Sequence, residues 1–174
     1  MPNRMNLVLA LGLAFSVFAA ATMGMAQSAG IALSETESNP DAPIEITANQ
    51  LTVDRETGNA IFAGDVYAVR GVLTLNADEL QVIYDEETDE EDGIREIIAT
   101  GNVIFVNGPD VAEAERAVYM PSNDTVTMTG NVLLTQGRTV ISGNLLLINL
   151  VTGQGQMTGQ VRTTFSSRKS EASE

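Results

Sequence analysis

The chain has 174 residues, 23 acidic against 9 basic side chains and a net charge of −14, with no cysteine, histidine or tryptophan. These absences exclude disulfides, thiolate metal sites, cysteine nucleophiles and the side chain that titrates nearest neutrality, and they argue against an aromatic platform for sugars. The acidic balance repels nucleic acid and anionic bilayer surfaces, so an anionic ligand would be held by its apolar part or by local basic groups.

Residues 1–26 carry the pattern of an export signal. Arg4 and the α-amino group precede an apolar run, Leu7–Ala21, and Gly24-Met25-Ala26 supplies a small-x-small cleavage site. The run is 15 residues long, short of the roughly 20 that a spanning helix needs. Cleavage after Ala26 is expected and places the mature chain outside the cytoplasm; an uncleaved anchor is the competing reading. No cysteine follows, which excludes a lipid-modified N-terminus. Losing Arg4 and no acid moves the net charge from −14 to −15.

Residues 27–43 are rich in Ser, Asn, Pro, Glu and Asp and are expected to form a flexible lead-in. A repeating domain is expected over 44–165, and 166–174 reads as a polar tail. The repeat is carried by Gly64, Gly101, Gly130 and Gly159, each two residues before a valine: Val66, Val103, Val132 and Val161. The last three glycines are 29 residues apart, and the first interval is eight longer because of an acidic tract around Asp85–Gly93. Small residues at Ala48, Ala114 and Gly143 each stand 16 before the next repeat glycine, with Ala77 as the displaced fourth member. A fixed period with glycine punctuation means one supersecondary unit stacked several times.

Within each unit, apolar and polar residues alternate with the period of a strand. Phe62, Ala99, Met128 and Met157 precede the repeat glycine by two. The valines follow it by two, and Ala68, Phe105, Leu134 and Thr163 by four. The second strand of each unit adds Leu51 and Val53, Leu80 and Val82, Ala117 and Tyr119, Leu146 and Ile148. These are the expected inward positions. Ala63, Thr100, Thr129, Thr158, Asp65, Asn102, Asn131 and Gln160 are expected outside, as are Asn49, Asp78, Glu115 and Asn144.

Asn107-Gly108 reads as the centre of a hairpin turn, with Gly71 and Gly137 in the same slot. Gly58, Asn123-Asp124 and Gly153 mark the other turns, and the repeat glycine reads as a mid-strand bend or close approach. The fold class is all-β: about eight strands of about ten residues, from four two-strand repeats, in a folded-over antiparallel sheet or two-walled roll.

No constellation reads as catalytic, and no cofactor or metal is expected. The acidic tract from Asp85 to Asp92 offers hard oxygen ligands but matches no calcium-loop spacing; a solvated hairpin tip is the simpler reading. Asp110, Glu113 and Glu115 resemble a carboxylate set only in composition. Asn123-Asp124-Thr125 fits a glycosylation sequon, on three residues alone. The inward face leaves two readings open. It is a filled core, as in a structural solenoid or scaffold protein, or its small and flexible residues leave a groove for an acyl chain.

The runs Ala48-x-x-Leu51-x-Val53, Gly58 and Ala63-Gly64-Asp65-Val66 resemble the LptA/OstA-like domain family of lipopolysaccharide-transport periplasmic proteins. Ala99-Thr100-Gly101-Asn102-Val103 and Met128-Thr129-Gly130-Asn131-Val132 repeat the signature, over about residues 44–165. The resemblance implies a twisted β-jellyroll open at both ends, located in the periplasm and not an enzyme. It implies that the interior holds the acyl chains of lipid A, through Leu51, Val53, Phe62, Val66, Leu80, Val82, Val103, Phe105, Met128, Val132, Leu134, Leu146, Ile148, Met157 and Val161. It also implies head-to-tail stacking through edge strands, at Ile44 and Ile46 on one side and Val161, Thr163 and Phe165 on the other. The first edge would face an inner-membrane anchored component and the second an outer-membrane translocon or the next protomer. The membrane-anchored sister protein of the same system shares the fold; the Gly24-Met25-Ala26 site favours the soluble bridge.

Overall fold

The computed structural model describes residues 28–34, 42–85 and 93–166. The expected signal, most of the acidic tract and the end of the tail lie outside these residues. Among the described residues eleven strands occur in order: β1 (Ser28–Ala32), β2 (Glu45–Thr47), β3 (Gln50–Val53), β4 (Ala60–Arg70), β5 (Leu73–Tyr84), β6 (Ile94–Asn107), β7 (Asp110–Met120), β8 (Thr125–Gln136), β9 (Thr139–Asn149), β10 (Gln154–Thr158) and β11 (Arg162–Phe165). All pair antiparallel in one sheet of order β1-β10-β9-β8-β7-β6-β5-β4-β2, with β3 also on β4 and β11 also on β9. The eight expected strands are present, two of them interrupted (β2/β3 and β10/β11).

The eleventh strand, β1, lies within residues 27–43, where a flexible lead-in is expected. Ser28–Ala32 pairs along its whole length with Gln154–Thr158. Ile31 and Leu33 are buried in the main core. A short apolar stretch that finds both a ladder and a core is ordered whatever its flanking composition suggests.

The repeat glycine is a bulge, and its geometry explains the period. Gly64-Asp65, Gly101-Asn102, Gly130-Asn131 and Gly159-Gln160 are each two consecutive residues in the left-handed region, with φ between +77° and +84° at glycine and +46° to +49° after it. Between Thr129↔Leu145 and Val132↔Gly143, two residues of β8 oppose only Asn144. β4 against β5 and β6 against β7 repeat that count. A polar side chain from the neighbouring strand lies directly over each glycine: a Cβ would stand 3.0 Å from Asn49 Nδ2 at Gly64, 2.3 Å from Asp78 Oδ2 at Gly101 and 2.6 Å from Glu115 Oε2 at Gly130. Three of these residues bond the left-handed residue beside the glycine: Asn49 Nδ2 donates to Asp65 at 2.9 Å, Asn102 Nδ2 to Asp78 at 2.8 Å and Asn131 Nδ2 to Glu115 at 2.5 Å. Each covering residue directly follows the small residue of its unit, so the 16-residue spacing sets the cover 15 residues before the glycine it lies over at Gly64, Gly130 and Gly159.

Bulges in register bend the sheet and increase its twist. The halves of each long strand then face each other: Val126 and Met128 on one side of the β8 bulge share a core with Val132 and Leu134 on the other. A second cluster, with Val66, Leu80, Val82 and Ile97 at its centre, fills the end beside β2 and β3.

The hairpins differ from expectation in one detail. Asn107 ends β6 paired with Asp110, so Gly108-Pro109 forms the turn. Proline fixes φ near −65°, so a turn with positive φ at both central residues is not available there. Gly108 at φ +57° in the first central position, like Gly71 and Gly137 at +59° and +58°, gives the glycine-first turn that suits the sheet twist.

Gly130→Ala places a Cβ against Glu115 at a φ of +84°. It is expected to lower stability by about 2–4 kcal/mol, read as a drop in the urea midpoint, whereas Gly30→Ala, with nothing within 4 Å, should change it by less than about 1 kcal/mol.

Candidate functional site

The folded-over sheet holds a half-open apolar cavity of about 80 Å³ between its walls. One wall supplies Ala68, Leu73, Leu75 and Phe105, and the other Leu80, Ile97, Ala99, Ala117 and Val126; Ile44 and Leu150 border it. A water needs only about 10–15 Å³ but also two to four polar partners, and apolar cavities stay dry and accept apolar ligands. Small side chains at Ala68, Ala99 and Ala117 leave the space.

The expected inward residues divide by their place in the roll. Val66, Leu80, Val82, Val103, Phe105, Met128, Val132, Leu134, Leu146, Ile148 and Met157 are buried, and Phe62 and Val161 pack against the core. Leu51 and Val53 are each 55% exposed. Their face is the inward one, since Leu51 stands opposite Phe62 and Val53 opposite the buried Ala60. β3 lies at the edge of the sheet, where nothing among the described residues covers it. Thr163, four after its repeat glycine, is exposed for the same reason on β11, and Phe165 is 76% exposed. Ile44 and Ile46 pack on the second cluster at the opposite edge.

A polar clasp closes the cavity wall. Arg70 ends β4, and its Nη1 donates to Asp124 Oδ1 at 2.9 Å and to the Tyr119 hydroxyl. Tyr119 donates to the same carboxylate oxygen at 2.7 Å, and the guanidinium lies 5.4 Å from the tyrosine ring centroid. The side chains of Arg70 and Asp124 are 11% and 18% exposed. In the flat sheet these groups belong to opposite ends, the β4–β5 hairpin and the β7–β8 turn, so the ion pair spans the seam where the folded sheet meets itself. Asp124 occupies the left-handed position, φ +47°, that ends the 3-10 turn Pro121–Asn123. Burial and the hydrogen bond to Asp124 push the Tyr119 hydroxyl up to about 12, against the lowering influence of Arg70.

A second clasp holds β1. Asp110, buried at the β6–β7 turn, accepts from the Ser34 backbone N–H at 2.6 Å, the Ser34 hydroxyl at 3.1 Å and Gln136 Nε2 at 3.0 Å. Gln136 also donates to the Ala32 carbonyl at 3.0 Å. Asp110 is thus a structural tether; Glu113 is exposed, and Glu115 covers the β8 bulge. The three carboxylates form no common site. The ends of the acidic tract are joined by a bond from the Asp85 N–H to the Gly93 carbonyl at 2.7 Å, and residues 86–92, with the calcium question, lie outside the described region. Among the described residues no group of acidic side chains is placed to hold a metal ion.

Sequence reasoning missed both clasps, although a signal was present. The inward slot six residues after the repeat glycine holds Arg70, Asn107 and Gln136, polar in three successive units. Those positions abut the hairpin glycines, where the walls meet.

Together these features define an open antiparallel β-jellyroll with an apolar interior and two unequal sheet edges. Residues 45–154 match the family model described as "LptA/(LptD N-terminal domain) LPS transport protein". The chain belongs to that family, and a role in lipopolysaccharide transport follows from the membership. An uncharacterised protein of Rhizobium meliloti (strain 1021) is 30% identical over 154 residues, 84% of this chain and 80% of the relative. Among solved structures, LptH of Pseudomonas aeruginosa, described as the LptA homologous periplasmic component of the lipopolysaccharide transport device, superposes with a TM-score of 0.55. It is 15% identical, and the match covers 78% of this chain and 90% of that one; the likeness is one of fold.

Tyr119 supports a pH test. In the unfolded chain the tyrosine ionises near 10, and in the fold near 12. Its contribution to stability is full below pH 10 and is lost as pH rises through about 12. Ultraviolet titration should show Tyr119 ionising with that late midpoint, Asp124→Asn should move it down, and Tyr119→Phe should flatten the fall in stability over that interval.

Proposed function

We propose that this protein is a periplasmic carrier of lipopolysaccharide that holds the acyl chains of lipid A in the interior of the roll. The observation that carries the reading is the apolar cavity between the two walls, in a family of lipopolysaccharide transport proteins. Charge fits this division of labour: a chain at −14 repels phosphates and leaves them with the sugars in water, while the tails are gripped by apolar contact alone.

The two ends of the sheet are assembly surfaces on this reading. β2 and β3 at one side and β11 at the other are edge strands, exposing Leu51, Val53 and Phe165. Open edges with apolar side chains invite strand addition, and head-to-tail pairing would cover them and join successive interiors into a bridge. The N-terminal edge would meet the inner-membrane anchored component and the C-terminal edge the next protomer or the outer-membrane translocon. Carriage of this kind is binding and release, with no bond made or broken.

A photoreactive residue at Phe105 or Leu75, both on the cavity, is expected to crosslink lipopolysaccharide in cells, and one at the exposed Asn131 is not. Ala117→Leu, which fills the cavity, should cut adduct formation from Phe105 by at least about tenfold while circular dichroism still reports a folded sheet. Adducts from both faces alike, or from neither in a folded and abundant protein, would return the interior to a merely structural core.

A further inference from the structure

β1 occupies two places at once. Along its backbone it fills the outer edge of β10, from Ser28↔Thr158 to Ala32↔Gln154, and the Leu33 N–H extends the contact to the Gly153 carbonyl at 2.7 Å. With its side chains it fills the interior: Ile31 and Leu33 are 8% and 6% exposed in the same cluster as Met128, Leu146 and Met157. The cavity is continuous with that cluster: Leu73, Ala99, Phe105, Ala117 and Val126 on its lining belong to the same core as Ile31 and Leu33.

The strand has the marks of a removable element. It is five residues long where β4 to β9 have eleven to fourteen. β10 is its one strand partner among the described residues. Ile31 faces Gly155, and Gly30 has nothing within 4 Å of where a Cβ would stand. Glycines on both strands of a pair weaken it. Its far end is secured by polar contacts at two hairpin tips, Ser34 on Asp110 and the Ala32 carbonyl on Gln136.

We propose that β1 is an intramolecular stand-in for two ligands, resting on the carrier reading above. While docked, it takes the β10 edge that the β2–β3 edge of a second copy would otherwise pair with, and Ile31 and Leu33 take room that acyl chains would use. Its release frees both together, so the protomer that can extend the bridge is also the one whose interior is open along its length. The occupant of the vacated edge is the second copy, whose β2–β3 edge carries the exposed apolar Leu51 and Val53.

The chain has no cysteine, so Gly30→Cys with Gln156→Cys makes a single unambiguous lock. The two residues face each other across the ladder and both are exposed, and facing Cα atoms of antiparallel strands lie within disulfide reach. Sedimentation velocity and binding of lipopolysaccharide are compared for the oxidised and reduced forms of this mature double variant. The oxidised form is expected to lose head-to-tail association and to bind lipopolysaccharide at least about tenfold more weakly, and reductant restores both. Oxidised and reduced forms that behave alike in both assays overturn the proposal, because β1 is then a permanent strand. A lock that blocks association while neither form binds lipopolysaccharide upholds the edge occupancy and rejects the carrier reading instead.

Discussion

An antiparallel sheet of this size with one apolar face has to hide that face, and in this chain it does so by bending every second strand at the same height. The bend rests on two consecutive left-handed residues, the first a glycine because a polar side chain from the adjacent strand lies where its Cβ would be. The covering residues Asn49, Asp78, Glu115 and Asn144 restrict what can stand at the glycine, and the bonds to Asp65, Asn102 and Asn131 hold the next residue in a conformation that costs a non-glycine energy. Because bulge and cover recur together, the bends line up. The two walls, the cavity between them and the seam all follow from that alignment.

How much of this was legible in the sequence depends on whether a feature repeats. The bulge glycines, the inward valines and the outward Asn and Asp positions come in aligned copies, and the structure places them as the pattern requires. Features that occur once were hidden. The pairing of Ser28–Ala32 with β10 leaves no periodic trace, because a five-residue strand next to a polar stretch has the composition of a lead-in. Leu51 and Val53 show the opposite limit: alternation assigns their face correctly, yet burial depends on a neighbour that this edge strand lacks among the described residues. The clasps lie between. Arg70, Asn107 and Gln136 share a slot, but what each touches depends on how far the sheet winds before its ends meet.

The winding also explains why the seam is polar. Hairpin tips and turns present backbone groups and short polar side chains, and apolar residues there would compete with the core. Arg70 with Asp124 and Tyr119, and Asp110 with Ser34 and Gln136, fasten the closure at two heights while the space beside the first stays apolar. An ion pair of this kind contributes direction more than strength, since desolvation offsets much of the attraction. It fixes which hairpin meets which turn.

The connectivity has a kinetic consequence. β4 to β9 are successive hairpins, most closing a tight turn and β5 to β6 closing the acidic insertion, and such local contacts form early because little chain entropy is lost. Ser28 and Thr158 are 130 residues apart, so β1 waits for β10 before it can dock. The maturing molecule must therefore pass through a form with six long strands in place, its β10 edge bare and the interior beside it unfilled. That transient is the state most exposed to wrong pairing, and a strand already tethered to the same chain fills the edge at a local concentration no second molecule easily matches.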